Sequence, residues 1–271
     1  MQAVEAKGFA IPIVGLGTWA LGGRACARLV EQAIDIGYRH VDTAQMYENE
    51  AEVGAGVRAS GKRDEVMVTT KVQPTSLAPA DLERSAKESL KKLKLDVIDL
   101  LLIHWPNPRI PLAGTLEAMA KLKREGITRA IGVSNFTVAL LDEASKLSRE
   151  PLVCNQIECH PFLNQHKVIA ACRRHGMAVV AYSPVARGAA PGNAVLGRIG
   201  KGHGKSAAQV SLRYLVQQGI VVIPRTSKTE RLKENFALFD FVLSDAEMQE
   251  IHRLSGRDGR IVDWTWSPDW D

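Results

Sequence analysis

Cysteine is scarce in this chain, and badly spaced for metal. The four cysteines stand at positions 26, 154, 159 and 172, with no Cys-x-x-Cys pair. Zinc-ribbon spacings and a disulfide framework are both missing. Cys154, Cys159 and His160 invite a metal-cluster reading, but buried thiols on a strand are the simpler one, and no metal is expected. A reducing compartment fits. Long apolar runs are missing too, so no segment is expected to span a bilayer. The start, "MQAVEAKGFAIPIVG", lacks a basic stretch leading into an apolar one. A cytoplasmic location follows as an expectation. Nor is there a block of one charge. Lys plus Arg number 35 against 30 Asp plus Glu, a formal charge of +5. The most basic stretch, "KESLKKLKLD", carries Glu88 and Asp96 and reads as a solvated helix face. That balance speaks against nucleic acid and suits a small anionic ligand. Aromatics make up only 6% of the chain, yet three of the five tryptophans fall within residues 257–271, beside four Asp and two Arg.

What the chain does have is alternation. Short β-rich runs ("IVGLGTW", "HVDTA", "VMVTTKV", "VIDLLLIHW", "RAIGVSN", "VCNQIECH", "AVVAYSP", "GIVVIPRT") are separated by amphipathic stretches such as "RACARLVEQAIDIG" and "PADLERSAKESLKKLKL". Pro79 suits a first helical turn, and Ser206/Gln209 and Ser244/Glu247 match capping boxes. Gly37, Gly61, Gly126, Gly176 and Gly219 mark helix ends. The strands are nearly continuous apolar runs, as parallel strands covered on both faces should be. Eight βα units in 271 residues predict an α/β fold of the (β/α)8 TIM-barrel type, as one domain over 1–271. "QAVEAKGFAI" predicts an N-terminal β-hairpin turning at Gly8 and capping the barrel floor. "NAVLGRIGKGHG" predicts an extra helix in the seventh connection, and Ser244 to Leu254 one further helix after the eighth unit.

The first strand poses a competing reading. Gly15, Gly17 and Ala20 in "IVGLGTWALGG" spell the dinucleotide fingerprint of a Rossmann unit, and Asp42 lies about where an acid should hold a ribose. A doubly wound sheet of six strands would leave two strands unexplained, and Gly22 and Gly23 are poor residues for the helix start that the fingerprint needs. The barrel is preferred.

Barrel active sites lie at the carboxyl ends of the strands. Read in order, those ends offer Thr18 and Trp19, Asp42 with Tyr47 beyond it, Lys71, His104 and Trp105, Ser134 and Asn135, Asn155, Gln156 and His160, Tyr182 and Ser183, and Arg225. Taken singly, Asp42 and Lys71 read equally well as an ion pair closing the interior, His104 as a core histidine and Tyr47 as a surface tyrosine. A ring of polar groups at one end is harder to explain as core filling, because buried charges cost several kcal/mol unless paired.

At these residues the chain resembles the aldo-keto reductases, through "GLGTW", "DTAQMYENE", "TTK", "LIHWP", "IGVSNF", "NQIECHP", "YSP" and "IPRTSKTERLKEN" in order along nearly its whole length. Among subgroups it is similar to the bacterial 2,5-diketo-D-gluconic acid reductases. The resemblance implies NADPH-dependent reduction of aldehydes and ketones. It also implies a catalytic tetrad of Asp42, Tyr47, Lys71 and His104. Tyr47 would donate the proton, its phenol made more acidic by the Lys71 ammonium. Asp42 would keep Lys71 charged, and His104 would orient the carbonyl. For the cofactor it implies Gly17, Thr18, Ser134, Asn135, Gln156, Tyr182 and Ser183 around the nicotinamide and pyrophosphate. Arg225, Thr226, Ser227, Arg231, Glu234 and Asn235 would hold the 2′-phosphate and adenine. Trp19 and Trp105 would wall the substrate, with Met46, Trp264 and Trp266 as further candidates. The sequence departs from the family at "VARGAAPGN" after "YSP" and at Arg225, where lysine is usual. Methylglyoxal-like α-dicarbonyls and keto-sugar acids are the expected substrates, with no nucleic-acid or membrane partner and a monomeric state. Two other readings stay open at this point. One is a cofactor-sensing binding subunit related to the reductases. The other is a barrel aldolase or isomerase using Lys71 as a Schiff base.

Overall fold

The computed structural model describes residues 2–271. Strands β1 (Ala3–Ala6) and β2 (Phe9–Pro12) form an antiparallel hairpin turning through Lys7 and Gly8, both at positive φ. Such a two-residue turn matches the right-handed twist of its strands. Eight parallel strands follow: β3 (Leu16–Gly17), β4 (His40–Asp42), β5 (Met67–Val72), β6 (Ile98–Ile103), β7 (Thr128–Ser134), β8 (Leu152–Glu158), β9 (Ala178–Tyr182) and β10 (Val221–Val222). They neighbour one another in chain order. Parallel bridges Val14–Val222 and Gly17–Arg225 join the last strand to the first and close the barrel. The hairpin residues Ala6 and Ile11 share a buried cluster with the inward-facing Met67, Leu100, Leu102, Ala130, Val180 and Val221. The hairpin therefore plugs the floor, as the sequence predicts.

The outer layer is α1 (Gly23–Ile36), α2 (Glu50–Ala59), α3 (Pro79–Leu93), α4 (Leu112–Arg124), α5 (Val138–Leu147), α6 (His166–Arg174), α7 (Ala194–His203), α8 (Ala207–Val216), α9 (Thr229–Phe236) and α10 (Asp245–His252). The supplementary helices α7 and α10 lie where the sequence puts them. Pro79 opens α3, and both capping boxes form, Ser206 with Gln209 and Ser244 with Glu247. A second apolar layer between sheet and helices is built from residues such as Val41, Leu101, Ile131 and Val179 on the strands and Leu29, Leu82, Leu116 and Leu212 on the helices.

Two strands are shorter than their sequence runs. In "GIVVIPRT" the ladder covers only Val221–Val222, because Pro224 has no N–H to donate. β3, its neighbour across the closure, shortens with it. The glycines of the apparent fingerprint serve this seam. A Cβ on Gly15 would lie 2.7 Å from His40 Nδ1, and one on Gly17 would lie 2.7 Å from the Ile223 carbonyl oxygen. Gly23 starts α1 all the same, at φ 58°, with Gly22 before it supplying no side-chain cap.

His40, fully buried beside this seam, holds Thr69 Oγ1 at 3.1 Å through Nε2. Burial lowers its pKa to about 4, the nearby Asp42 charge only partly opposing that. A depressed pKa gives stability that is complete above the ordinary histidine value and lost as pH falls through the folded one. Denaturant melts should therefore show a stability loss of roughly 3 kcal/mol between about pH 6.5 and pH 4, and His40→Gln should remove most of that slope. Gly17→Ala should cost about 1–3 kcal/mol at neutral pH through overpacking against backbone, measured by the same melts.

Candidate active site

Four side chains meet at the carboxyl end of the barrel. Asp42 ends β4, Lys71 lies near the end of β5, and His104 follows β6. Tyr47 closes a short 3₁₀ turn, Gln45–Tyr47, just beyond β4. Lys71 Nζ spends its three protons on Asp42 Oδ1 at 2.6 Å, the Thr43 carbonyl at 2.8 Å and Tyr47 Oη at 3.3 Å. The lysine is fully buried and the aspartate nearly so. The Asp42 carboxylate at 2.6 Å favours the ammonium form. His104 stands edge-on to Tyr47, with ring centroids 5.6 Å apart.

The electrostatics differ from the sequence expectation in one respect. Burial raises the Tyr47 phenol well above its ordinary value, and the Asp42 charge adds to this. The ammonium does not make the phenol acidic, because desolvation outweighs it. Burial likewise draws Lys71 below its ordinary value, while the adjacent Asp42 carboxylate resists. His104 is pushed well below the usual imidazole value by burial and then by the Lys71 charge, so it is neutral. Its Nδ1 is buried without a hydrogen-bond partner.

The other strand ends form one connected network. Gln156 Nε2 donates to the second Asp42 oxygen at 2.7 Å. Ser134 Oγ donates to the Gln156 carbonyl at 2.8 Å. Asn135, in the left-handed region at φ 62°, donates to the His104 carbonyl at 2.9 Å and accepts from Tyr182 Oη at 2.8 Å. Thr18 Oγ1 donates to the Asp42 carbonyl at 2.9 Å. Asn49, unremarked in the sequence, ties the Thr18 and Leu21 carbonyls together at 2.8 Å each. Asp42 is thus committed to Lys71 and Gln156, and the Rossmann reading of it as a ribose ligand does not hold. Ser183 also sits at positive φ, 50°, at the root of the "VARGAAPGN" loop. From that loop Arg187 reaches over the exposed Trp19 ring, 4.9 Å from its centroid.

The donor set after β10 fits a phosphate. Arg225, Ser227 and Arg231 are exposed, and among the described residues Arg225, Lys228 and Arg231 make no ion pair. Arg225 is fixed by donating to the Trp19 and Ala20 carbonyls at 3.1 and 3.0 Å. Thr226 Oγ1 accepts from the Lys228 amide at 3.0 Å, and α9 starts at Thr229 with no side-chain cap on its first amides. Uncompensated cations beside an uncapped helix N-terminus suit phosphate oxygens. Asn235 is buried in α9. Glu234 is engaged elsewhere, its carboxylate accepting from Ser206 Oγ.

The opening is rimmed by aromatics. Trp105, buried, meets Trp266 and Trp270 edge-on at 5.0 and 6.1 Å, and Trp266 stacks on Trp264. Trp19, Met46, Trp264 and Trp266 remain exposed. The four cysteines are free and buried. Burial pushes the thiols up, to about 11 for Cys26 and about 12 for Cys159 and Cys172, so they are unreactive packing residues. His160 donates from Nε2 to the buried Glu158 at 2.9 Å. Sequence reasoning passed over Glu158. Its only signal was an acid next to an apolar strand end inside "NQIECHP".

A closed barrel with an ammonium–phenol–imidazole cluster at its carboxyl end, a phosphate-suited corner and an aromatic mouth defines a nucleotide-dependent carbonyl reductase. The profile of the aldo/keto reductase family matches residues 13–255. The chain is 38% identical over 266 residues to the methylglyoxal reductase DkgB of Escherichia coli O157:H7, covering 97% of this chain and all of that protein. It is 43% identical over 256 residues to the 9,11-endoperoxide prostaglandin H2 reductase of Trypanosoma cruzi, covering 93% and 90%. A crystal structure assigned as a 2,5-diketo-D-gluconic acid reductase B superposes with a TM-score of 0.98 at 44% identity, covering 100% of this chain and 98% of the other. The chain belongs to the aldo/keto reductase family. It is an NADPH-dependent oxidoreductase that reduces carbonyl groups.

All four tyrosines are displaced upward, Tyr38, Tyr47, Tyr182 and Tyr214, each chiefly by burial. The folded chain should show almost no phenolate absorbance at about pH 10, where free tyrosine is half ionised. The absorbance should appear only together with alkaline unfolding. Substantial phenolate in the folded protein near pH 9 would contradict the electrostatics described above.

Proposed function

We propose that this chain, acting over 1–271 as one monomeric cytoplasmic barrel, reduces small α-dicarbonyls such as methylglyoxal and keto-sugar acids such as 2,5-diketo-D-gluconate to alcohols. The Lys71–Tyr47 contact of 3.3 Å carries this reading. Because Lys71 donates to Tyr47 Oη, the phenol keeps its own proton free to point toward a carbonyl oxygen. NADPH, held by residues of the strand ends and of the segment after β10, would supply a hydride to the carbonyl carbon. As negative charge grows on the carbonyl oxygen, Tyr47 transfers its proton there. The ammonium, held charged by Asp42, stabilises the phenolate left behind. Neutral His104, beside Tyr47, orients the same oxygen as a hydrogen-bond partner without adding charge.

The remaining roles are those that membership of the family implies. Ser134, Asn135 and Gln156 present amide and hydroxyl groups where the nicotinamide carboxamide would lie, with Tyr182 against its ring. Gln156 already steadies Asp42, so it serves both partners. Gly17, Thr18 and Ser183 would border the cofactor, Ser183 at its pyrophosphate, while Arg225, Thr226, Ser227, Arg231 and Asn235 would hold the 2′-phosphate and adenine. Glu234 acts there chiefly through its Ser206 contact, by fixing α9. Trp19 and Trp105 wall the substrate, with the tail tryptophans beyond them. The names of the curated relatives and the free cysteines support the substrate class and the reducing location.

Tyr47→Phe should lower kcat for methylglyoxal by about 10²–10⁴-fold while NADPH binding, followed by fluorescence titration, stays near wild type. Undiminished turnover would sink the acid assignment. Arg225→Ala combined with Arg231→Ala should weaken NADPH about a hundredfold, as expected for two charge-assisted contacts, and NADH far less. Equal weakening of both nucleotides is the result that counts against a 2′-phosphate site.

A further inference from the structure

Behind the mouth, a buried carboxylate grips the end of the chain. Glu158, the last residue of β8, is 1% exposed, and none of the four clustered side chains touches it. Its Oε1 accepts from the Ile261 amide at 2.7 Å and from His160 Nε2 at 2.9 Å. Its Oε2 accepts from the Val262 amide at 2.8 Å. His160 is itself oriented, because its Nδ1 accepts from the Phe162 amide at 3.3 Å and so leaves the proton on Nε2. Burial alone would raise the Glu158 pKa, yet these donors hold it below the ordinary carboxylate range. A charge this deep with three donors in place is a fixed point, since breaking one partner leaves the rest uncompensated.

What it fixes is the tail. The strand-to-helix loop after β8 also pairs with it, the Gly256 amide donating to the Phe162 carbonyl at 3.0 Å and the Asn164 amide to the Gly256 carbonyl at 3.2 Å. A Cβ on Gly259 would overlap the Phe162 carbonyl, so the chain passes here with no room to shift. Beyond the grip, the tail turns back over the mouth. Trp266 and Trp270 meet Trp105, Arg260 lies 3.6 Å from the Trp270 ring centroid, and Asp271 accepts from the Val138 amide at 2.9 Å. Trp105 adjoins His104 in sequence. Through Trp105 the tail borders the mouth of the barrel, and the carboxylate ties that border in place.

We propose that Glu158, steered by His160, is a positioning residue for substrate specificity: it anchors the tail at Ile261 and Val262 and thereby sets the aromatic wall against Trp105. This rests on the carbonyl-reductase reading given above. It assigns Glu158 no part in proton or hydride transfer. Small substrates need little of the wall, whereas bulky aromatic ones bind against it.

Two variants approach the grip from opposite sides. Glu158→Gln puts an amide NH2 where one of the donors needs an acceptor. Ile261→Pro removes one donor from the tail and leaves the barrel untouched, and Arg260 at φ −67° and ψ 132° accepts a following proline. Each variant should raise KM for a nitrobenzaldehyde about tenfold. Each should leave kcat for methylglyoxal within about twofold and leave NADPH affinity unchanged. Acrylamide should quench the tryptophan fluorescence more strongly in both. The double variant should be no worse than either single one, because both cut the same link. An unchanged nitrobenzaldehyde KM, an equal fall in kcat/KM for both aldehydes, or multiplied effects in the double variant would each overturn the proposal. If Glu158→Gln does not fold, Ile261→Pro alone decides on the same readings. If the wild-type protein reduces neither aldehyde, the carbonyl-reductase reading fails instead, and the quenching comparison still reports whether Glu158 holds the tail.

Discussion

The interior of this barrel contains a full positive charge, and much of the site is arranged around keeping it. Transfer of an ammonium out of water costs several kcal/mol even after relaxation. Lys71 can stay charged only because each of its three protons has an acceptor, one of them a carboxylate. Asp42 must in turn be held, and Gln156 does so from four strands away. The Thr43 carbonyl can accept from Lys71 because the backbone leaves β4 there. Removing any one of these would leave a buried charge or lone pair unmatched, which is why they form a connected set rather than a list of contacts.

The same burial acts on the neutral members with the opposite sense. It keeps the Tyr47 phenol protonated and the His104 imidazole uncharged. A phenol acidified in the resting state would be partly ionised and would have less proton to give. One held neutral by desolvation, but lying 3.3 Å from an ammonium, gains its stabilisation as the phenolate forms. In the proton transfer proposed above, that interaction would be stronger in the transition state than in the ground state, which is the condition for it to accelerate the reaction. The cation's contribution is therefore to the charge that develops, and a lowered resting pKa is not required.

The alternation of apolar strand and amphipathic helix made the barrel legible, because a parallel strand buried on both faces leaves an apolar run that few other elements leave. The cluster was legible for a related reason: polar residues at strand ends share one rim, so chain order alone brings Asp42, Lys71 and His104 together. Local spacing alone spells a dinucleotide fingerprint at Gly15 and Gly17, a reading the strand count already set aside. Those glycines answer to His40 and Ile223, neighbours that only the closed barrel supplies. Pro224 shortened the last strand through a missing donor, a signal present in the sequence but outweighed by the apolar run around it. Glu158 was illegible for a deeper reason. Two of its three partners are backbone amides near the far end of the chain, and backbone amides carry no side-chain identity to read.

That difference in legibility reflects a division within the fold. Asp42 and Lys71 sit on strands whose register the ladder fixes, and Tyr47 and His104 lie just beyond β4 and β6. The tail tryptophans lie on a segment without regular structure, and such a segment has no ladder to place it. It has to be tied at discrete points, and a buried carboxylate accepting from two consecutive amides is a strong way to tie backbone without depending on the side chains there. Residues beyond the knot can then change the shape of the mouth while the knot and the proton-transfer cluster stay as they are. The Asp42–Lys71–Tyr47–His104 cluster and the aromatic tail tied at Glu158 are thus held by separate parts of the fold.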